Sequence, residues 1–131
     1  MTKVNIVVIS HSKKIVDGIA DLVSQVKKPD VHIFTAGGTD DGNIGTSVEK
    51  ITKAINQAYS KAGVLLFYDL GSASMNAEVA AEMFSCGLVE TADAPLVEGA
   101  YIATVESGLG KSLLEVKQAV EVTTRRLKTS E

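Results

Sequence analysis

The strongest constraint on the fold is an alternation of short apolar runs with longer stretches of helical spacing. The runs predict buried strands at residues 4–9, 31–35, 64–68 and, more briefly, 86–90. Apolar residues three and four apart predict helices at residues 13–27, 48–58, 74–84, 95–107 and from 113 onward. Connections of this length join parallel strands. The sequence therefore predicts one α/β domain with an open central parallel sheet of about four strands, flanked by helices on both faces.

Composition and charge exclude several classes of protein. The 131 residues, with 45% hydrophobic residues, suit a single domain over 1–131, which we expect to end in a polar tail from about 123. A net charge of −3 without a basic stripe argues against nucleic-acid binding. The single cysteine, Cys86, cannot form an internal disulfide. No signal peptide or membrane-spanning run is visible, so we expect a cytoplasmic protein.

Polar residues follow each of the first three predicted strands. Ser10, His11 and Ser12 follow the first strand, a glycine-rich loop at 36–45 follows the second, and Asp69 follows the third. In an open parallel sheet, ligands bind outside the carboxyl ends of the strands, near the point where strand order reverses. If the first strand is central, these three segments meet at one edge of the sheet.

An imidazole, a carboxylate and glycine turns together suit reversible phosphorylation. A neutral ring nitrogen is a good nucleophile near pH 7, and Asp69 bonded to the other ring nitrogen would fix the tautomer of His11. Glycine turns and helix N-termini bring N–H groups to phosphate oxygens, and Lys13 either adds positive charge or points to water. Read from its position alone, however, His11 could be an ordinary loop residue, and Asp69 could simply cap the following helix. No metal site is predicted.

Other features favour structural interpretations. Residues 108–112 resemble a phosphate loop but do not follow a strand, so they are interpreted as a turn between helices. His32 is interpreted as a structural or surface residue, and Cys86 as a core residue. Met75 and Met83 are predicted to be in the core, although Met75 could instead face a partner.

Four segments together resemble a known family. They are residues 6–12, 37–40, 68–78 and 94–100. In this order they resemble the phosphotransferase subunits of bacterial dihydroxyacetone kinases and, more widely, the IIA domains of the mannose class of the phosphotransferase system (PTS). The resemblance extends to about residue 122, and it implies a flavodoxin-like strand order and a homodimer.

The resemblance implies that His11 accepts a phosphoryl group from the carrier protein HPr and that Asp69 pairs with its ring. The group would pass to ADP held, with Mg²⁺, on a DhaL subunit, for phosphorylation of dihydroxyacetone on a DhaK subunit; this chain would bind no cofactor itself. Ser12, lying next to His11, is predicted to line the phosphate and partner loops. The resemblance places Gly38, Thr39, Gly71 and Ser72 in the same loops. Longer members of the family carry an HPr-like domain, so here we expect a separate HPr.

Two alternatives remain open. One is a IIA subunit of a mannose-class sugar transporter, with a IIB domain as acceptor; residues 70–74 differ from the Gly-Gly-Ser-Pro type usual there. The other is a non-catalytic α/β binding module, whose function would survive loss of the His11 side chain.

The resemblance favours phosphorylation on the ring nitrogen that is not bonded to Asp69.

Overall fold

The computed structural model describes residues 2–84 and 87–129. The strands are β1 (Asn5–Ser10), β2 (Ile33–Gly37), β3 (Val64–Tyr68) and β4 (Val89–Thr91). The helices are α1 (Lys13–Val23), α2 (Val48–Ala58), α3 (Gly71–Glu82), α4 (Leu96–Gly108) and α5 (Leu113–Thr129). All neighbouring strands are parallel, in the order β2-β1-β3-β4. The predicted α/β fold with β1 inside the sheet is confirmed.

The sheet separates two apolar cores. Successive residues of β1 point to opposite faces, and all six of its residues are buried. On one face, Val4, Ile6 and Val8 pack with α1, α4 and α5; on the other, Val7 and Ile9 pack with α2 and α3. Burial on both faces explains why β1 and β3 are continuous apolar runs rather than alternating ones.

The buried stripe of α1 differs from the prediction. The sequence predicts one stripe formed by Ile15, Ile19, Leu22, Val23 and Val26. In the structure Val16, Ile19 and Val23 are buried, whereas Ile15 and Leu22 are exposed. Adjacent apolar pairs made two stripes possible, and packing on β2 selects the one containing Val16. The helix also ends at Val23, ahead of the predicted residue 27.

Several boundaries are shifted. Strand β2 continues into Ala36 and Gly37, which were predicted to be loop, and β4 begins at Val89. Helix α3 begins at Gly71 rather than 74, and α5 continues to Thr129, with Thr124 buried, where a polar tail was predicted. At the start of α3, Gly71 and Ser72 have weak helix propensity, which tertiary packing overrides.

Single residues also test the prediction. Met75 and Met83 are 69% and 61% exposed, so their assignment to the core was wrong. His32 is exposed, as its interpretation as a surface residue allows. Residues 109–112 connect α4 to α5, so the predicted turn between helices is present, although Gly108 still belongs to α4. Cys86 lies outside the described residues. Within residues 2–84 and 87–129, no helix combines the length and apolarity needed to span a membrane.

Candidate functional site

The ends of β1 and β3 bring His11 and Asp69 together. Ile9 of β1 is in register with Tyr68 of β3, so the next residues of both strands leave the sheet side by side. The His11 Nδ1 and Asp69 Oδ1 atoms are 3.0 Å apart, and the two side chains are 19% and 16% exposed. The predicted contact is therefore present, at the carboxyl edge of the sheet between its two inner strands.

The Asp69 carboxylate is the centre of a hydrogen-bond network. Its Oδ2 accepts hydrogen bonds from the Ser10 hydroxyl at 2.7 Å and the His11 N–H at 3.1 Å. Its Oδ1 accepts from the Leu70 N–H at 2.7 Å as well as facing the ring of His11. Burial acts to raise the pKa of Asp69, but these hydrogen bonds outweigh burial and hold its pKa below the ordinary 3.8. The carboxylate is therefore ionised at neutral pH.

An ionised carboxylate determines the tautomer of His11. A carboxylate only accepts hydrogen bonds, so Nδ1 must carry the ring proton when the ring is neutral. The lone pair is then on Nε2, which lies 2.7 Å from the Ser72 hydroxyl oxygen on the exposed side of the ring. The hydroxyl donates to that lone pair. The ring nitrogen that carries the lone pair is thus Nε2, and it contacts the first turn of α3.

Ser10, expected only as one of the polar residues that follow the first strand, has a role in the site that its sequence position did not assign. It is the last residue of β1 and is completely buried. Its hydroxyl donates to Asp69 and accepts a hydrogen bond from the Ser12 N–H at 3.0 Å. Ser10 thus orients the carboxylate that orients the ring. The sequence feature that could have identified Ser10 is a polar residue at the end of an otherwise apolar, buried strand.

The glycine-rich loop supports the backbone of His11. The Gly45 N–H donates to the His11 carbonyl at 2.9 Å, and the Gly38 N–H donates to the Ser10 carbonyl at 3.1 Å. Gly38 has a φ of 72°, and a Cβ there would lie 2.9 Å from the Asn43 carbonyl oxygen, so glycine is required. The loop thereby fixes the backbone of β1 as it leaves the sheet.

Thr39 closes this loop on itself. Its hydroxyl donates to the Asp41 carboxylate and accepts from the Asn43 N–H, and its own N–H donates to the Asn43 carbonyl at 2.9 Å. Within residues 2–84 and 87–129, neither Gly38 nor Thr39 has a hydrogen bond to the His11 side chain. Both predicted loop residues are near the site but shape it indirectly.

Two helices begin at the site without side-chain caps. Ser12 is the N-cap of α1 and Leu70 the N-cap of α3, and neither side chain accepts a hydrogen bond from its helix. The first N–H groups of a helix have no acceptor within it, and the helix dipole makes this end attractive to anions. Ser12 adjoins His11 and Ser72 contacts its ring, so the helix ends that begin at Ser12 and at Gly71 offer groups suited to phosphate oxygens beside the histidine.

Lys13, the candidate for adding positive charge to the site, is paired with another side chain. Lys13 Nζ lies 2.7 Å from the Asp17 carboxylate on the exposed side of α1. In the part of the chain that the structure describes, no group of three or more His, Cys, Asp or Glu side chains is placed to hold a metal ion. The chemistry available here is that of an oriented imidazole beside two helix N-termini.

A parallel sheet in this order, with an oriented histidine at its carboxyl edge, is the arrangement expected of a IIA domain, and comparison with known families agrees. The family model EIIA-man, described as the PTS system fructose IIA component, matches residues 5–117. The chain belongs to this family.

Particular relatives narrow the comparison. The phosphoryl donor subunit DhaM of dihydroxyacetone kinase 2 from Listeria innocua is 39% identical over 107 residues, 79% of this chain and 86% of that protein. The corresponding subunit of kinase 1 from the same organism is 38% identical over 126 residues, 96% of this chain and 94% of that protein. A crystal structure of protein EF1359, of unknown function, superimposes with a TM-score of 0.83 at 35% identity, covering 92% of this chain and 95% of that one.

Proposed function

We propose that this chain is a phosphohistidine carrier, the phosphoryl donor subunit of a PTS-dependent dihydroxyacetone kinase. Nε2 of His11 accepts a phosphoryl group from phosphorylated HPr and passes it to ADP on a DhaL subunit, for dihydroxyacetone phosphorylation by DhaK. The observation that carries the proposal is the contact of 3.0 Å between Nδ1 and Asp69, which leaves the Nε2 lone pair on the exposed side. The names of the two Listeria relatives support the choice of kinase.

In the first step, the Nε2 lone pair attacks the phosphorus atom of the donor's phosphohistidine. A new N–P bond forms, the donor's N–P bond breaks, and its electron pair returns to the donor's ring. The His11 ring keeps its proton on Nδ1 and becomes cationic, and the ionised Asp69 carboxylate beside it stabilises that charge. Because the carboxylate is already held in place, little reorganisation accompanies the reaction.

The incoming phosphoryl oxygens need hydrogen-bond donors. The Ser72 hydroxyl, 2.7 Å from Nε2, must rotate away from the lone pair and is then placed to donate to one oxygen. The first N–H groups of α3 and α1 are further donors, and neither helix end is closed by a side-chain cap. The same groups stabilise the negative charge in the transition states of both transfers.

In the second step, a β-phosphate oxygen of ADP attacks the phosphorus atom and the electron pair of the N–P bond returns to Nε2. His11 is then neutral again, still protonated on Nδ1. Phosphoryl transfer to a nucleotide normally uses Mg²⁺, and we propose that ADP and Mg²⁺ are held by the acceptor subunit while this chain binds no cofactor. The homodimer and the cytoplasmic location remain predictions; sedimentation and cell fractionation check them.

Intact mass tests the proposal. The protein is incubated with phosphoenolpyruvate, the first PTS enzyme and HPr, and wild type is compared with His11→Ala and, as a matched control, the exposed His32→Ala. We expect one acid-labile phosphoryl group on wild type and on His32→Ala, and none on His11→Ala. An unmodified wild-type protein beside a demonstrably active donor would discard the carrier function and favour a binding module. Phosphorylated protein that transfers to a IIB domain but not to ADP on DhaL would instead identify a sugar transporter subunit.

A further inference from the structure

The outer face of α3 carries an apolar stripe that begins at the reactive histidine. Met75, Val79 and Met83 are 69%, 47% and 61% exposed, although α3 buries its opposite face among Ala73, Ala77 and Ala80. At about 100° per residue, the three apolar side chains and Ser72 fall within about 80° of the helix circumference. The stripe therefore lies on the same side of α3 as the hydroxyl that contacts Nε2.

More exposed apolar residues adjoin the start of this stripe. Leu70 is 60% exposed, and its N–H is bonded to Asp69; Ile44 is 77% exposed, and the next N–H, that of Gly45, is bonded to the His11 carbonyl. Asn76 of α3 donates to the Thr46 hydroxyl, which links the helix to the end of the glycine-rich loop. Two exposed apolar residues thus adjoin backbone N–H groups that are bonded to Asp69 and to His11.

We infer that the outer face of α3, centred on Leu70, Met75 and Val79, is the docking surface for the phosphohistidine donor protein. This inference rests on the proposed function. A stable interface covers about 800 Å² of each partner, which corresponds to a disc of about 16 Å radius. Along α3, Met75 lies about 4.5 Å and Val79 about 10.5 Å beyond Ser72. A donor interface of that size centred on Nε2 reaches both.

The chemistry of the donor distinguishes it from the nucleotide acceptor. A histidine side chain is short, so a protein that offers phosphohistidine must bring its own surface directly against the surroundings of His11. A nucleotide diphosphate extends further from the protein that holds it, and that protein can stand further away. The apolar rim next to Nε2 therefore fits the donor better than the acceptor.

Charge on α3 specifies the donor further. The helix contains no Lys or Arg, and exposed Glu78 and Glu82 lie along one edge of the stripe. The complementary surface is an apolar patch with basic residues at its rim, and such charges mainly accelerate association. Other exposed apolar residues, such as Val122 on α5, lack this link to the ring and provide the control.

The experiment measures the initial rate of phosphorylation of this chain against the concentration of phosphorylated HPr. Met75→Lys and Val79→Lys are compared with Val122→Lys, because Val79 and Val122 are similarly exposed, at 47% and 51%. We expect the half-saturating HPr concentration to rise about tenfold in the two α3 variants, the loss typical of a central interface residue. The rate at saturation, the final phosphorylation of one group per chain and all values for Val122→Lys should match wild type.

Each contrary outcome overturns the inference in a different way. Unchanged half-saturation in both α3 variants, with complete phosphorylation, rejects the docking surface and leaves the carrier function standing. A defect confined to transfer onto ADP assigns the face to the acceptor, and a fall in oligomeric mass on sedimentation assigns it to a second copy of the chain. Absence of phosphorylation in wild type overturns both the docking surface and the proposed function.

Discussion

Helices α2 and α3 pack against each other on the same face of the sheet, yet they begin in opposite ways. At α2 the Ser47 side chain accepts a hydrogen bond from the Lys50 N–H at 3.2 Å, and Glu49 places negative charge in the first turn. At α3 the N-cap is Leu70, no side chain caps the helix, and the first turn contains no acid. One terminus is satisfied within the protein, and the other remains available to an anion.

The exposed faces of α2 and α3 also differ, one being polar and the other partly apolar. Exposed positions of α2 are polar, among them Lys53, Asn56 and Gln57, as in an ordinary solvent-facing helix. The outer face of α3 carries Met75 and Val79. Helix α2 therefore has a capped N-terminus and a polar exposed face, as a purely structural helix does. Helix α3, in the same layer, lacks the cap at its N-terminus and carries apolar residues on the exposed face nearest His11. Departures from local consistency are expected at functional sites.

The largest effect on the contrast between α2 and α3 is expected from replacing the aspartate that lies before each helix, Asp40 and Asp69. Asp69→Asn replaces a carboxylate with an amide that can donate to Nδ1, which shifts the ring proton to Nε2 and removes its lone pair. We expect phosphoryl transfer to slow by about 10²–10⁴-fold. The matched control is Asp40→Asn, since Asp40 accepts a hydrogen bond from Ser47 at the start of α2. Its transfer rate should stay within about twofold of wild type, since surface changes are usually small.

Rates are measured by quenched-flow with labelled phosphoenolpyruvate, and far-UV circular dichroism establishes that both variants fold. Equal losses in the two variants would contradict the assigned difference between the termini, as would a normal rate for Asp69→Asn.

The pairing of His11 with Asp69 was predictable because it follows from topology. Once β1 and β3 are recognised as adjacent parallel strands, their carboxyl ends must meet. The role of Ser10 was not predictable, because a serine at a strand end has no signature until the carboxylate beside it is located. Likewise, Gly71 and Ser72 have low helix propensity, so the sequence predicts a start of α3 three residues later than the observed one.

The exposure of Met75 and Met83 is a second feature that the sequence pattern did not predict. Apolar residues at helical spacing usually indicate the face that packs on a core, and the periodicity of α3 contains two faces of similar apolarity. Only the packing of Ala73, Ala77 and Ala80 onto the sheet determines which face is buried. Sequence pattern therefore predicts the elements well, but not which of two apolar faces remains exposed.

A second test compares two fully buried serines at opposite ends of the sheet. Ser10 donates to Asp69, whereas Ser107 donates to the Val4 carbonyl where β1 is about to begin. Ser10→Ala and Ser107→Ala should each lower the free energy of unfolding by about 1–3 kcal/mol, because each removes a hydrogen bond donated by a fully buried hydroxyl. Only Ser10→Ala should slow transfer, by about tenfold, since a hydrogen bond to a charged group contributes about 1.5 kcal/mol.

The pKa of Asp69 supplies an independent measurement on these variants. Losing the Ser10 hydrogen bond should raise the pKa of Asp69 toward its ordinary value, as followed by carbon NMR of the carboxyl. A lowered folded-state pKa contributes stability above the ordinary 3.8 that is lost as pH falls through the folded value. The stability gap between wild type and Ser10→Ala should therefore narrow on acidification below pH 3.8, while the gap for Ser107→Ala should not. Parallel gaps would mean that Ser10 acts only through packing.

The smallest expected effect separates capping from ligand binding at the two helix ends themselves. Ser47→Ala removes the cap of α2 and should cost about 1 kcal/mol of unfolding free energy, with transfer unchanged. Ser72→Ala removes an exposed hydroxyl that caps nothing in α3, so stability should change by less than about 0.5 kcal/mol. Phosphorylated His11 should nevertheless be less favoured by about fivefold at equilibrium with the donor, because the hydrogen bond to a charged phosphoryl oxygen is stronger by about 1 kcal/mol than the bond to neutral Nε2 that Ser72→Ala also removes. The contrary outcome is that Ser72→Ala destabilises the fold as much as Ser47→Ala and leaves this equilibrium unchanged. The first turn of α3 would then be structural, like that of α2. The phosphoryl oxygens would have to be held by backbone N–H groups alone.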